Sequence, residues 1–188
     1  MCKKFEQLLV THCAPTLANI KTANLFCCGL PRETLLSAVR FWNKKFRSAG
    51  VHILLLKPCP HSGRHLVYVY RQARLRHDLM HPDAAALLHA EGYPDTESLL
   101  QLLSFLAQRL RSNADFPHEI GLFLGYPAAD VSGFITHKGK NYCCSGIWKA
   151  YTNPKQAQRC FDAYRCCAQT YQRHYKKGKT ILQLTLAA

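Results

Sequence analysis

The sequence predicts a mixed α/β or α+β fold, with a sheet of four to five strands packed against helices in a single compact domain over residues 1–188. Three observations predict it. Apolar residues recur at helical spacing in several stretches separated by short β-rich runs. Hydrophobic residues make up 48% of 188 positions, enough for one substantial core. The last third reads strand, long helix, strand, a C-terminal β-α-β unit of the size of a parallel crossover.

The elements follow in order. Phe5, Leu8 and Leu9 fall at i, i+3 and i+4, which reads as a short helix over residues 2–12, halted near Pro15. A helical turn at residues 17–20 then gives way to a strand over residues 24–27. Pro31 opens a helix with Leu35, Leu36, Val39, Phe41, Trp42 and Phe46 on a broad apolar face, and Gly50 stands just past its end. "VHILLLK" is nearly all apolar, as in a strand covered on both faces. With "HLVYVYR" it forms an antiparallel hairpin over residues 51–71, joined by the loop "CPHSGR".

Pro82 opens a helix that ends at Gly92. The next, in "PDTESLLQLLSFLAQRLRSN", carries a thick leucine stripe with Asp95 as its N-cap. "GIWKAY" reads as a strand, and Asn153-Pro154 opens a helix to Lys177 with Ala157, Cys160, Phe161, Tyr164, Cys167, Tyr171 and Tyr175 along one stripe. Gly178 closes it before a last strand, "TILQLTLA".

The N-terminus lacks the unbroken apolar core of a signal peptide, and no run reaches the roughly 18 apolar residues of a membrane span. The expectation is a soluble cytoplasmic protein with no membrane partner. In such a compartment the ten cysteines are thiols. No C-x-x-C pair is present. Cys27-Cys28, Cys143-Cys144 and Cys166-Cys167 are adjacent, so each pair offers one easy ligand at most. Buried structural thiols are the plain reading; a reactive thiol or a metal site assembled from distant segments are the alternatives.

The formal net charge is +14, unevenly spread. Residues 1–77 carry thirteen Lys and Arg against Glu6 and Glu33, residues 78–130 carry Arg109 and Arg111 against eight acids, and residues 131–188 carry ten against Asp162. Two basic flanks around an acidic middle suit phosphates, anionic cofactors or nucleic acid if the flanks meet, and a solvated surface if they do not.

Residues 116–135, "FPHEIGLFLGYPAADVSGFI", support three readings. A helix-turn-helix over residues 119–136 has Gly125 in the turn and Val131 and Ile135 to pin the second helix, but that helix offers no Arg, Gln or Asn before Ile135 to reach a base. As a site, His118 and Glu119 stand at a helix start, where a carboxylate and an imidazole can activate a water or take a proton. As packing, Glu119 satisfies a helix end while Gly121 and Gly125 let another element lie close.

This stretch, followed by "GIWKAY" and by "RCCAQTYQRHYKKGKTILQLTLA", and preceded by "HCAPTLANIKTANLF", resembles the bacterial domain-of-unknown-function 3793 family over nearly the whole chain. The resemblance implies a single-domain cytosolic protein of largely anaerobic bacteria, and carries no activity, cofactor or catalytic residue. The residues must supply the chemistry. Lys21, Arg71, Trp148 and Lys149 lie at predicted element ends, with His118 and Glu119 at a helix start, positions where α/β proteins gather binding groups. The leading expectation is a site for an anionic small molecule or cofactor, with Lys21, Arg71, Trp148 and Lys149 binding and His118 and Glu119 catalytic if a reaction occurs. The alternatives are nucleic-acid binding through residues 119–136 or through a basic surface around Arg173, Lys176, Lys177 and Lys179, and a thiol or metal protein.

Overall fold

The computed structural model describes residues 2–58, 64–112 and 116–186. It divides into two compact units, Met1–Ala73 with Tyr164–Ala188, and Arg74–Ala163. The fold is mixed α+β, with a three-stranded sheet and a separate two-stranded ladder.

The first unit begins with α1 (Lys3–Leu17), whose buried Phe5, Leu9, Cys13 and Leu17 repeat every four residues and so share one face. The helix does not halt at Pro15, because the ring sits in its last turn and costs at most one backbone bond. It ends where Asn19 takes a left-handed φ of 58°. Then come β1 (Ala23–Cys28), α2 (Arg32–Phe46), a 3-10 turn (Arg47–Ala49), β2 (Val51–Pro58) and β3 (His65–Arg71).

The sheet order is β1-β3-β2, antiparallel throughout, with Ala23 opposite Tyr70 and Val51 opposite Arg71. The hairpin forms as expected, though residues 59–63 of its loop lie outside the described residues. β2 is an edge strand. The continuous burial expected of it belongs instead to central β3, where Val67 to Arg71 are all buried. Leu56 is an extra residue in the β2 register, a bulge that returns an apolar side chain to a buried position. Asn43 of α2 covers the open edge: its side chain donates to the Ile53 carbonyl at 2.9 Å and accepts from the Ile53 N–H at 2.7 Å. On one face of this sheet, Val67, Val69, Val51 and Ile53 pack with Phe5, Leu9, Trp42 and Phe46.

α3 (Gln72–Met80) leads into the second unit, which holds α4 (Pro82–Ala90), α5 (Leu99–Ser112), α6 (Ile120–Phe123), α7 (Ala128–Thr136), β4 (Cys144–Ser145) and β5 (Lys149–Ala150). α3 escaped the sequence reading because Leu75 and Leu79 are its only buried residues, too sparse a stripe to stand out. Asp95 is not the cap of α5. That helix starts four residues later, after a turn in which Thr96 Oγ1 accepts from the Ser98 N–H at 3.0 Å.

α8 (Pro154–Lys176) starts as expected, with the Asn153 side chain accepting from the Gln156 N–H at 3.0 Å. Ala157 and Phe161 pack on Ala150 in the second unit, while Cys167, Tyr171 and Tyr175 pack on the core of the first. The C-terminal β-α-β unit does not form, and the main sheet has three strands instead of four to five. In "GIWKAY" only Lys149–Ala150 is strand, paired antiparallel with β4 in a short hairpin. "TILQLTLA" is helical over α9 (Ile181–Leu184), because Thr180 and Gln183 form a capping box: Thr180 Oγ1 accepts from the Gln183 N–H, and the Gln183 side chain accepts from the Thr180 N–H. Among the described residues no helix is long and apolar enough to cross a membrane.

Candidate functional site

The sequence between α6 and the β4–β5 hairpin builds a cavity of about 320 Å³ within the second unit. Two glycines make its scaffold. Gly121 lets α7 lie directly on α6, since a Cβ there would stand 2.8 Å from Val131 Cγ2. Gly125 turns the chain between the helices with φ 75°, a conformation L side chains resist. Ile120, Leu124 and Val131 give the cavity apolar lining, Phe116, Tyr126, Phe134 and Trp148 give it aromatic lining, and His118 and Lys149 contribute polar groups.

Asp130 holds this arrangement together. Its side chain is buried, and both carboxylate oxygens are engaged. Oδ2 accepts from the Trp148 indole N–H at 2.9 Å; Oδ1 accepts from the N–H groups of Tyr151 and Thr152 at 2.8 and 3.1 Å and from the Thr152 hydroxyl at 3.0 Å. A buried carboxylate needs such compensation, and here it ties α7 to the hairpin. Trp148 is further fixed by stacking on Tyr126, centroids 4.9 Å apart, and by an edge contact with Phe161 at 4.6 Å.

The Lys149 ammonium donates to the Gly139 carbonyl at 2.7 Å and lies 4.8 Å from the Tyr142 ring centroid and 5.8 Å from that of Phe134. The His118 ring meets Phe134 edge-on at 4.8 Å. The structure therefore brings His118, Trp148 and Lys149 to one cavity. Asp130, Tyr126 and Phe134, which complete it, were not singled out in the sequence as site residues. The available signal was an acid placed among apolar residues in "PAADVSGF".

Glu119, Lys21 and Arg71 do not line this cavity. Glu119, 1% exposed, caps nothing with its side chain; it accepts from the Tyr93 hydroxyl at 3.0 Å and pairs with Arg109 Nε at 2.7 Å. Burial first, and then the neighbouring Glu119 carboxylate, push the Tyr93 phenol far above its usual pKa. The guanidinium also engages Glu91, through its carbonyl at 2.7 Å and its carboxylate at 3.2 Å. In the first unit, Arg71 is buried and donates to the carbonyls of Thr16, Leu17, Ala49 and Leu186 at 2.6–2.9 Å.

Lys21 is buried in the first unit as well and donates to the Ala23 carbonyl. Burial pushes its pKa from 10.5 down to about 7, against a smaller opposing effect of the Cys13 thiol. The folded chain thus binds fewer protons here than the unfolded chain above about pH 7, so stability is expected to rise with pH. Above about 9.0 Cys13 acts oppositely, because burial raises its folded pKa and the unfolded thiol loses its proton first. The urea midpoint should increase between pH 7 and 9, and Lys21→Met should flatten that rise; an unchanged slope in the variant would show that another group sets it.

Cys13 and Cys28 are buried and pushed up by that burial, and Cys167 is raised to about 11. Among the described residues no three His, Cys, Asp or Glu side chains are placed to hold a metal ion; Cys59 lies outside them. In residues 119–136, α6 is one turn, and the exposed residues of α7 are Ala129, Ser132 and Thr136.

No curated protein and no solved structure matches the chain. The family described as "Protein of unknown function (DUF3793)" matches residues 9–185, and the chain belongs to that family.

Proposed function

We propose that the protein binds a small organic anion in the cavity of the second unit. The observation that carries this reading is an apolar, aromatic-lined hollow at which Lys149 and His118 stand, while the oxygens of Asp130, which also lines it, are turned to protein donors. Such a hollow with a few convergent polar groups is the usual form of a ligand site. The imidazole of His118 is the group there best suited to moving a proton. Its sequence neighbour Glu119 is spent on Tyr93 and Arg109, so the arrangement supports binding better than catalysis.

The test is a thermal-shift panel of aromatic and aliphatic acids, nucleotides and phosphorylated metabolites. At least one class should raise Tm, and Lys149→Met and His118→Ala should each weaken that ligand by about tenfold, the effect of losing one charged hydrogen bond. A panel without any shift would dismiss the reading.

A second reading, nucleic-acid binding, is favoured by one observation. Arg173, Lys176 and Lys177 line a surface depression of about 410 Å³ at the end of α8. His174 beside them is held below its usual pKa, first by desolvation and then by Lys179, Arg173 and Lys177. With four phosphate contacts, log affinity for duplex DNA should fall with log salt at a slope of about 3–4. Arg173→Glu with Lys177→Glu should abolish binding; no binding at low salt removes this reading.

A further inference from the structure

We infer that the ligand of the aromatic cavity is a planar aromatic monocarboxylate, not a phosphorylated compound. The inference rests on the anion-binding reading of that cavity and narrows it by counting the groups that an anion would meet there. Lys149 is the one Lys or Arg among the lining residues. Its ammonium gives one hydrogen to the Gly139 carbonyl and lies near the Tyr142 and Phe134 rings, so at most two hydrogens remain for an incoming anion, with the His118 ring as a further donor or acceptor and the Asp130 carboxylate in the same lining set against a second negative charge. That complement matches the two oxygens and single charge of a carboxylate.

A phosphate monoester would bring about −1.5 to −2 charges and three acceptor oxygens. Proteins meet such groups with arginine forks, backbone N–H nests or the first turn of a helix. The lining holds no arginine, and no helix turns its first N–H groups to it. The N–H groups of Ile120 and Gly121 are turned to the carbonyls of Pro117 and His118, and Ala128 and Ala129, which open α7, do not line the cavity.

The walls argue for the ring. Trp148 is held by Asp130 Oδ2, by the Tyr126 ring and by a T-shaped contact with Phe161, so a ligand in the cavity would meet an indole already fixed and would lose little side-chain entropy in ordering it. Phe116 and Phe134 add apolar area around it. A volume of about 320 Å³ is at the lower end of ligand sites, the size for a one- or two-ring compound.

Isothermal titration of the full chain with three matched probes tests this: 1-naphthoate, its neutral amide 1-naphthamide, and 1-naphthyl phosphate. Naphthoate should bind about tenfold or more tightly than either of the others. Lys149→Met should bring naphthoate down to the affinity of the amide and leave the amide unchanged, a pattern that a merely misfolded variant would not give. Naphthyl phosphate binding as tightly as naphthoate, or the acid keeping its advantage in Lys149→Met, would overturn the inference. If only nucleotides or aliphatic acids of the wider panel bind, this ligand class falls and the anion-binding reading stands; if nothing binds, both fall.

Discussion

Replacing Arg71 with methionine is expected to lower the stability of the first unit by about 4 kcal/mol or more, among the largest losses a single substitution causes. The reason is geometric. One buried guanidinium gathers the carbonyls of Thr16 and Leu17 at the end of α1, of Ala49 in the turn after α2, and of Leu186 after α9. The end of a helix leaves its last carbonyls without intrahelical donors, and here a side chain from β3 supplies them. Methionine fills much of the same space but donates nothing: the Ala49 and Leu186 carbonyls lose this donor outright, while the Thr16 and Leu17 carbonyls are left with the N–H groups of Asn19 and Leu186, and each buried oxygen left unpaired costs about 1–3 kcal/mol. Arg71→Lys keeps the charge without the planar fork and should recover only part of the loss. The urea midpoint reads both variants. A midpoint within experimental scatter of the parent would show that water or a relaxed backbone replaces the guanidinium.

Glu119→Ala is the second large effect, about 3 kcal/mol, within the second unit. The substitution leaves the Tyr93 hydroxyl without its acceptor and strips Arg109 of its buried partner, though the guanidinium keeps Glu91. Tyr93 itself lies between Phe105 and Phe123, with ring centroids 4.6 and 5.7 Å away, so a disturbed hydroxyl is felt through the packing of α5 and α6. Glu119→Gln retains an acceptor for Tyr93 and should lose about half as much. The same variant separates structure from chemistry. If Glu119 serves only this network, Glu119→Gln binds cavity ligands as the parent does; a loss of binding at full stability would return Glu119 to the site.

These two residues show where reading the sequence stops. Arg71 and Glu119 stand at element ends, the places that suggested a ligand, and the structure gives both to partners up to 115 residues away in the chain. Nothing in the local pattern separates a charge that waits for a ligand from one that satisfies a helix end. His118, Trp148 and Lys149 have the same signal and do line a cavity. Local grammar was legible where it was strong: the Pro-led starts of α2 and α4, the Asn153 start of α8, and the hairpin of β2 and β3. It failed in "TILQLTLA", where strand-like alternation hid a Thr-x-x-Gln capping box, and in "GIWKAY", where β-formers serve a two-residue ladder and the lining of a cavity.

The first unit is assembled from both ends of the chain, with residues 74–163 running between its two parts. During synthesis the N-terminal sheet therefore emerges long before Tyr171 and Ile181, which complete its apolar core, and before Leu186, which completes the contacts of Arg71. The intervening unit is contiguous in sequence, whereas the one that surrounds it must wait, partly open, until residues 164–186 have emerged.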